Sequence, residues 1–108
     1  MSKVAIVTDS TAYIPQDLLI QYSIRVAPLI LIWGKDTYLD GVDIKPGEFY
    51  QRLEKDKIHP TTSQVTPAKF KEIFAELLEK EHEILAILIS SKLSGTIDSA
   101  NQALENFP

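Results

Sequence analysis

Most of the side chains that could bind a ligand in this sequence are hydroxyls, concentrated in three short segments: residues 8–11, 61–64 and 90–96. The first and the third segments directly follow apolar runs, whereas the second comes before a predicted helix. Hydroxyl groups donate hydrogen bonds without bringing a charge of their own. They therefore suit an anionic oxygen, such as that of a carboxylate, a phosphate or a sulfate.

Ser94 and Gly95 stand where the third segment opens a helix. The first N–H groups of a helix have no partner inside it, and the helix dipole makes this end positive. An anion fits there, with Ser94 donating from its hydroxyl and Gly95 admitting a close approach of the ligand. The alternative for Ser94 is an N-cap that serves only its own helix. For Thr62 and Ser63 the alternative is a polar loop held by local hydrogen bonds.

Side chains for catalysis or metal binding are scarce. Nothing in the local spacing would assemble Ser94, His59 and Asp9 into a triad, and His82 stands alone in an acidic stretch. Neither a Walker sequence nor a GxGxxG fingerprint occurs, and there is no cysteine. Three aspartates fit no calcium-binding register and are interpreted as turn and cap residues: Asp36, Asp40 and Asp43. We predict no catalytic residue and no metal site.

The composition is that of one globular domain. Of the 108 residues, 44% are hydrophobic and 24% charged, and 11 basic against 15 acidic residues give a net charge of −4. Without a basic stripe the chain is a poor candidate for binding nucleic acid. No run approaches the roughly 20 apolar residues of a membrane span, and residues 1–10 lack the pattern of a signal peptide. We therefore expect a soluble, cytoplasmic protein.

The hydroxyl-rich segments must be positioned by strands and helices, which the apolar pattern predicts. Continuous apolar runs at residues 4–7, 24–33 and 84–89 indicate strands that are covered on both faces. Four helices are predicted to begin at or just after a proline or a glycine: Pro15, Pro46, Pro67 and Gly95.

The third of these helices has the clearest pattern. Its apolar stripe recurs at i, i+3, i+4, i+7 and i+8: Phe70, Ile73, Phe74, Leu77 and Leu78. Thr66 is its predicted N-cap, with Pro67 at the first helical position. The fourth helix places a shorter apolar set on one side: Ile97, Ala100, Leu104 and Phe107.

Strands that alternate with helices predict an α/β fold, in which a mostly parallel sheet is flanked by helices in a three-layer α/β/α arrangement. Pro28 lies inside the second strand and argues for an edge position or a bulge, because proline cannot donate to a ladder. Asp40 and Gly41 predict a tight turn or hairpin. In such sheets ligands bind beyond the carboxyl ends of the strands, where the first and third hydroxyl-rich segments would lie.

Four segments, taken together, resemble the DegV family in order and spacing: residues 7–12, 38–44, 62–64 and 89–96. Members of this family are bacterial fatty-acid-binding proteins, and some serve as the carrier subunit of a fatty acid kinase. The resemblance covers essentially the whole chain but only the first part of such a protein, which has a second α/β domain and a lipid tunnel between the two. It therefore implies that residues 1–108 form an incomplete N-terminal α/β domain.

The resemblance also implies a site. The hydroxyls of Thr62 and Ser94 would donate hydrogen bonds to the fatty acid carboxylate, with the Gly95 N–H as a third donor. Ser63 and Ser10 are possible additional ligands, although Ser10 is better suited to shaping its own loop. The bound ligand would be a long-chain fatty acid, with no cofactor. The family's arginine and histidine near the carboxylate come from later segments that this sequence does not contain.

Such a chain would be a carrier and not an enzyme, since it would hold the fatty acid and present it to a separate kinase subunit. Two other functions remain open. One is a phosphate- or nucleotide-binding phosphotransfer subunit, in which the start of the fourth helix cradles phosphate. The other is a plain α/β association module that dimerises through an open sheet edge.

Overall fold

The computed structural model describes residues 3–105. Within that range it contains six strands: β1 (Lys3–Asp9), β2 (Arg25–Ala27), β3 (Ile30–Trp33), β4 (Asp36–Leu39), β5 (Thr61–Ser63) and β6 (His82–Ile87). It also contains four α-helices: α1 (Gln16–Gln21), α2 (Pro46–Lys55), α3 (Pro67–Glu79) and α4 (Thr96–Leu104). A short 3₁₀ turn, Ser10–Ala12, follows β1 directly.

Three strands form a parallel sheet in the order β2-β1-β6. Thr8 near the end of β1 pairs with Val26 on one side and with Ile87 on the other. Because the strands run parallel, their carboxyl ends meet at one edge, and the hydroxyl-rich segments after β1 and β6 emerge there together. The predicted α/β fold, a parallel sheet with flanking helices, is confirmed.

The remaining strands form a second, antiparallel sheet in the order β4-β3-β5, which the sequence pattern did not predict. The single strand expected at residues 24–33 was wrong. Pro28 has no N–H to give to a ladder, so the run ends there, and the chain leaves the first sheet for the second. The segment around Thr62 was expected to be a loop, but it forms β5, in which Thr62 pairs with Leu31.

Two glycines make the turns around β4. Gly34, with φ of 62°, lies in the two-residue connection between β3 and β4, so the hairpin is here. Gly41, with φ of 80°, lies in the turn after β4 that Asp40 and Gly41 predicted. Only glycine adopts such φ values at little cost.

The main hydrophobic core lies between the parallel sheet and helices α3 and α4. Four of the five stripe positions predicted for α3 are buried: Phe70, Ile73, Phe74 and Leu77. The N-cap is confirmed, since Thr66 accepts a hydrogen bond from the Lys69 N–H with Pro67 at the first helical position. In α4, Ala100 is buried as expected, Leu104 is exposed, and Phe107 lies outside the described residues.

The opposite face of the parallel sheet is much less covered, so the expectation that the strands of the continuous apolar runs are covered on both faces was wrong for β1 and β6. Val4 precedes the buried Ala5 in β1, and Leu85 and Ile87 follow the half-buried Ile84 in β6. These three side chains are 60%, 51% and 57% exposed, in the order Val4, Leu85 and Ile87. A second, smaller core belongs to the antiparallel sheet, where Leu31, Trp33 and Ile44 are buried against side chains of β4 and α2. The molecule is accordingly elongated, with extents of 51, 30 and 22 Å.

Candidate functional site

Asp9 organises the edge where the parallel strands end. Its carboxylate is 1% exposed and accepts hydrogen bonds from the N–H and hydroxyl of Thr11 and, at 2.6 Å, from the Ile89 N–H. A buried carboxylate is tolerable when its oxygens are hydrogen-bonded in this way. The contact with Ile89 holds the segment after β6 beside the end of β1, and so positions the approach to Ser94.

Ser10, the next residue, is buried and has a different partner. Its Oγ accepts a hydrogen bond of 3.1 Å from the Leu29 N–H, where the chain passes from β2 to β3. Ser10 therefore contributes to the contact between the two sheets. It lies outside the pocket that contains the other predicted ligand-binding residues, but it lines the larger cavity beside that pocket.

That pocket has a volume of about 330 Å³ and is lined by residues from both sheets. Thr62 and Ser63 enter it from β5, and Ser94 and Gly95 enter it from the segment before α4. The structure thus brings together two pairs of adjacent residues, and the two pairs are far apart from each other in the sequence. Its other lining residues are Thr11, Tyr13, Leu29, Asp40, Gln64, Ile89 and Leu93.

Two hydrogen bonds fasten the end of β5 to the start of α4. Gln64 donates from Nε2 to Ser99 Oγ at 2.9 Å, and the Val65 N–H donates to Thr96 Oγ1 at 3.4 Å. Both acceptors are completely buried. A Cβ at Gly95 would lie 1.9 Å from Gln64 Oε1, so a larger residue there would displace the Gln64 side chain from this contact.

The sequence did not predict that Gln64, Thr96 and Ser99 would position the pocket. A signal was present, since Thr96 and Ser99 place hydroxyls at i and i+3 on the same side of α4 as Ala100 and Ala103, which are buried. Hydroxyls on a buried helix face need partners. The sequence does not say which distant segment supplies them.

The Ser94 hydroxyl is already engaged with the helix that it precedes. Its Oγ accepts a hydrogen bond of 3.2 Å from the Thr96 N–H and lies 2.9 Å from Thr96 Oγ1. The N-cap position itself is held by Gly95. Ser94 therefore accepts a hydrogen bond from the first residue of its helix without being the N-cap that the alternative interpretation expected, and it also lines the pocket.

The pocket offers neutral donors rather than positive charge. Of the lining residues described, none is lysine, arginine or histidine, and Asp40 is the acidic one.

Tyr13, which also lines the pocket, has a left-handed backbone conformation, with φ of 49° and ψ of 44°. Burial, with further effects of Asp40 and Tyr50, raises the pKa of the Tyr13 phenol above its usual value of 10. At neutral pH this phenol is therefore protonated and able to donate.

A second cavity, of about 820 Å³, adjoins the pocket and shares Tyr13 and Asp40 with it. Most of its other lining residues are apolar: Ala12, Ile14, Pro15, Leu19, Val26, Pro28, Val42, Pro46 and Tyr50. Volumes of this size are typical of small-molecule sites. Neutral donors beside an apolar cavity suit an amphiphile with one anionic end.

The residues lining these two cavities include neither histidine. His59 is exposed, and His82 is half-buried at the start of β6. Between residues 3 and 105 no group of three or more acidic or histidine side chains could hold a metal ion. In the same part of the chain no helix is long and apolar enough to cross a membrane.

Comparison with known proteins gives one consistent family. The sequence model of the DegV family, described as a family of uncharacterised proteins, matches residues 3–108. A DegV domain-containing protein of Caldanaerobacter subterraneus is 48% identical over 100 residues, which cover 93% of this chain and 35% of that protein. The chain spans little more than a third of the length of the curated relatives it matches.

Solved structures agree with the family match. The crystal structure of DegV from Bacillus subtilis, described as a fatty acid binding protein, superposes with a TM-score of 0.90 at 33% identity, covering 100% of this chain and 38% of that one. A stearic-acid-binding protein from Eubacterium ventriosum superposes with a TM-score of 0.88 at 32% identity, covering 100% and 38%.

Proposed function

The chain belongs to the DegV family, and we propose that it binds a long-chain fatty acid whose carboxylate accepts hydrogen bonds from Thr62 and Ser94. The observation that carries this proposal is the pocket in which these two hydroxyls, one from each sheet region, lie beside a larger apolar cavity. Similar proteins are described as fatty acid binding. Gly95 and Ser63 line the same pocket and are proposed as further donors.

In this proposal the two cavities contribute differently to fatty acid binding. Burial of the acyl chain in the apolar cavity supplies most of the affinity, since each buried CH₂ contributes about 0.8 kcal/mol. The hydroxyls hold the carboxylate in one place and contribute orientation. Ser10 acts indirectly by fixing Leu29, which lines the carboxylate pocket.

We further propose that the protein is a non-catalytic carrier in the cytoplasm that presents its fatty acid to a separate kinase. The described lining of the carboxylate pocket contains no cation, so no tight ion pair from these residues would mask the carboxylate oxygens. Since the chain spans about a third of its relatives, this role is proposed for the whole protein that contains it. The incomplete domain at residues 1–108 and a dimer through a sheet edge remain predictions.

The test is native mass spectrometry of the complete protein after expression in bacteria. We expect a co-purifying long-chain fatty acid, and we expect Ser94→Ala and Thr62→Ala each to weaken fatty acid binding roughly 10- to 100-fold, as for loss of a hydrogen bond to a charged group. Ser91→Ala is the matched control, because Ser91 is an exposed hydroxyl of the same segment outside the pocket. Bound nucleotide instead of fatty acid, or unchanged binding by both variants, would overturn the proposal.

A further inference from the structure

Thr96 is a buried hydroxyl with a defined direction of hydrogen bonding. It is 0% exposed, and its Oγ1 accepts a hydrogen bond from the N–H of Val65, which is equally buried. A backbone N–H can only donate, so Oγ1 must be the acceptor in this contact. The single Thr96 hydroxyl proton is left to find an acceptor away from solvent. Ser94 Oγ, at 2.9 Å, is the acceptor that the described residues provide.

This arrangement sets the direction of the Ser94 hydroxyl in turn. Ser94 Oγ accepts the Thr96 N–H at 3.2 Å and, by the argument above, the Thr96 hydroxyl as well. A hydroxyl oxygen has two acceptor sites, so both are used. The Ser94 proton alone remains, and Ser94 lines the carboxylate pocket. Hydrogen bonds therefore run in one direction, from Val65 through Thr96 and Ser94 into the pocket.

We propose that Thr96 is a positioning residue that makes Ser94 an obligatory hydrogen-bond donor and thereby gives the pocket its preference for a carboxylate over an alcohol head group. The inference rests on the proposed function of Ser94 and adds a specificity determinant to it. A carboxylate only accepts hydrogen bonds, so it gains fully from a donor that is fixed in direction. An alcohol can also accept the Ser94 proton, but this uncharged hydrogen bond is weaker, and the alcohol's own proton finds no acceptor on a Ser94 hydroxyl whose acceptor sites are both used.

The decisive variant is Thr96→Val, which keeps the shape of the side chain and removes the hydroxyl. The Ser94 proton is then free among three staggered positions, of which about one points at the ligand. We expect the affinity for stearic acid to fall about three- to ten-fold and the affinity for octadecan-1-ol to stay the same. Thr96→Ser, which restores the hydroxyl, should retain the wild-type ratio of the two affinities.

Two controls separate this role from a general loss of structure. Ser91→Ala removes an exposed hydroxyl of the same segment that does not line the pocket, and it should leave the acid-to-alcohol ratio unchanged. In the Ser94→Ala background, Thr96→Val should have no further effect on stearic acid binding, since the two residues act through one proton. If Thr96→Val does not fold, Thr96→Cys replaces it, because a thiol is a weak donor.

The outcomes distinguish the two proposals. If Ser94→Ala leaves stearic acid binding unchanged, the proposed function of Ser94 fails and this inference with it. If Ser94→Ala weakens binding but Thr96→Val leaves the acid-to-alcohol ratio unchanged, only the inference about Thr96 is overturned. The same holds if the two substitutions weaken binding additively. All measurements use the complete protein stripped of lipid and titrated with the two named ligands.

Discussion

The two sheets are stabilised in different ways. The parallel region, comprising β1, β2, β6, α3 and α4, is held by a continuous core in which eleven hydrophobic residues are buried, Phe70 among them. The antiparallel region, comprising β3, β4, β5 and α2, buries only Leu31, Trp33 and Ile44. There the Arg52 guanidinium lies over the Trp33 ring, 4.4 Å from its centre, and adds a cation–π contact to this small core.

The candidate site uses both regions. Ser94 and Gly95 lie next to α4 in the parallel region, whereas Thr62 and Ser63 belong to β5 in the antiparallel region. The region with the larger core thus supplies one pair of the proposed ligand-binding residues, and the region with the smaller core supplies the other. The difference suggests that ligand binding is more sensitive to loosening of the antiparallel region than global stability is.

The largest effect is expected in the parallel region. Phe70 is completely buried and stacks on Phe74 with a centroid distance of 5.4 Å, so Phe70→Ala should lower the free energy of unfolding by about 3–5 kcal/mol. Phe49→Ala makes the same chemical change at a half-buried position of the antiparallel region and should cost less. Urea unfolding of both variants measures the contrast. Equal losses would mean that the two regions do not differ as described.

An intermediate effect is expected at Trp33. Its indole Nε1 donates to the Ile58 carbonyl at 2.9 Å, and its ring packs edge-on against Phe49. Trp33→Phe removes the hydrogen bond and ring volume, so we expect a loss of about 1–3 kcal/mol. Hydrogen exchange should accelerate in β3 and β5 before it does in β1 or α3, with weaker fatty acid binding. Uniform acceleration along the chain would contradict a separately loosened antiparallel region.

The sequence predicted the parallel region well and the antiparallel region poorly, for physical reasons. The apolar stripe of α3 and the inward side chains of β1 reflect burial, which is visible in residue types. The apolar run of β6 predicted its strand correctly, although only Ile84 of that strand packs against the core. Strand β5 has the sequence Thr-Thr-Ser, which carries no apolar alternation, and its pairing with Leu31 depends on a distant segment. Pro28 was recognised as a break, but a change of sheet leaves no local signal beyond that.

The candidate site was likewise predicted only in part from the sequence. Thr62 and Ser94 were named through the family resemblance, and the structure places them in one pocket. The residues that fasten the pocket could not be named, because their contacts join Asp9 to Ile89, Gln64 to Ser99 and Val65 to Thr96. Each contact joins two segments that are far apart in the sequence. The local sequence pattern therefore does not indicate which residues will be partners.

The smallest effect concerns two carboxylates near the surface, the half-buried Asp56 in the antiparallel region and the exposed Glu76 in the parallel region. Chiefly through the hydrogen bond from the Ile58 N–H, and also through Arg52, the pKa of Asp56 is held below its usual value of 3.8. Through the hydrogen bond and charge of Arg25, the pKa of Glu76 is held below 4.5. A lowered pKa in the folded protein stabilises it above the unfolded value, and this stabilisation is lost as the pH falls through the folded value.

Acidification should therefore weaken both contacts in the same range, below about pH 4, yet with different consequences. The Glu76 contact joins α3 to β2 across a large core that persists without it. Asp56 fixes the Ile58 segment, which accepts the Trp33 hydrogen bond, so its protonation should expose β3 and β5 to hydrogen exchange first. In the Asp56→Asn variant, hydrogen exchange in β3 and β5 should already be faster at neutral pH. In the Glu54→Gln variant, changed at an exposed position of α2, it should not be faster. Earlier exchange in β1 than in β3 on acidification would reverse the order of stability argued for the two regions.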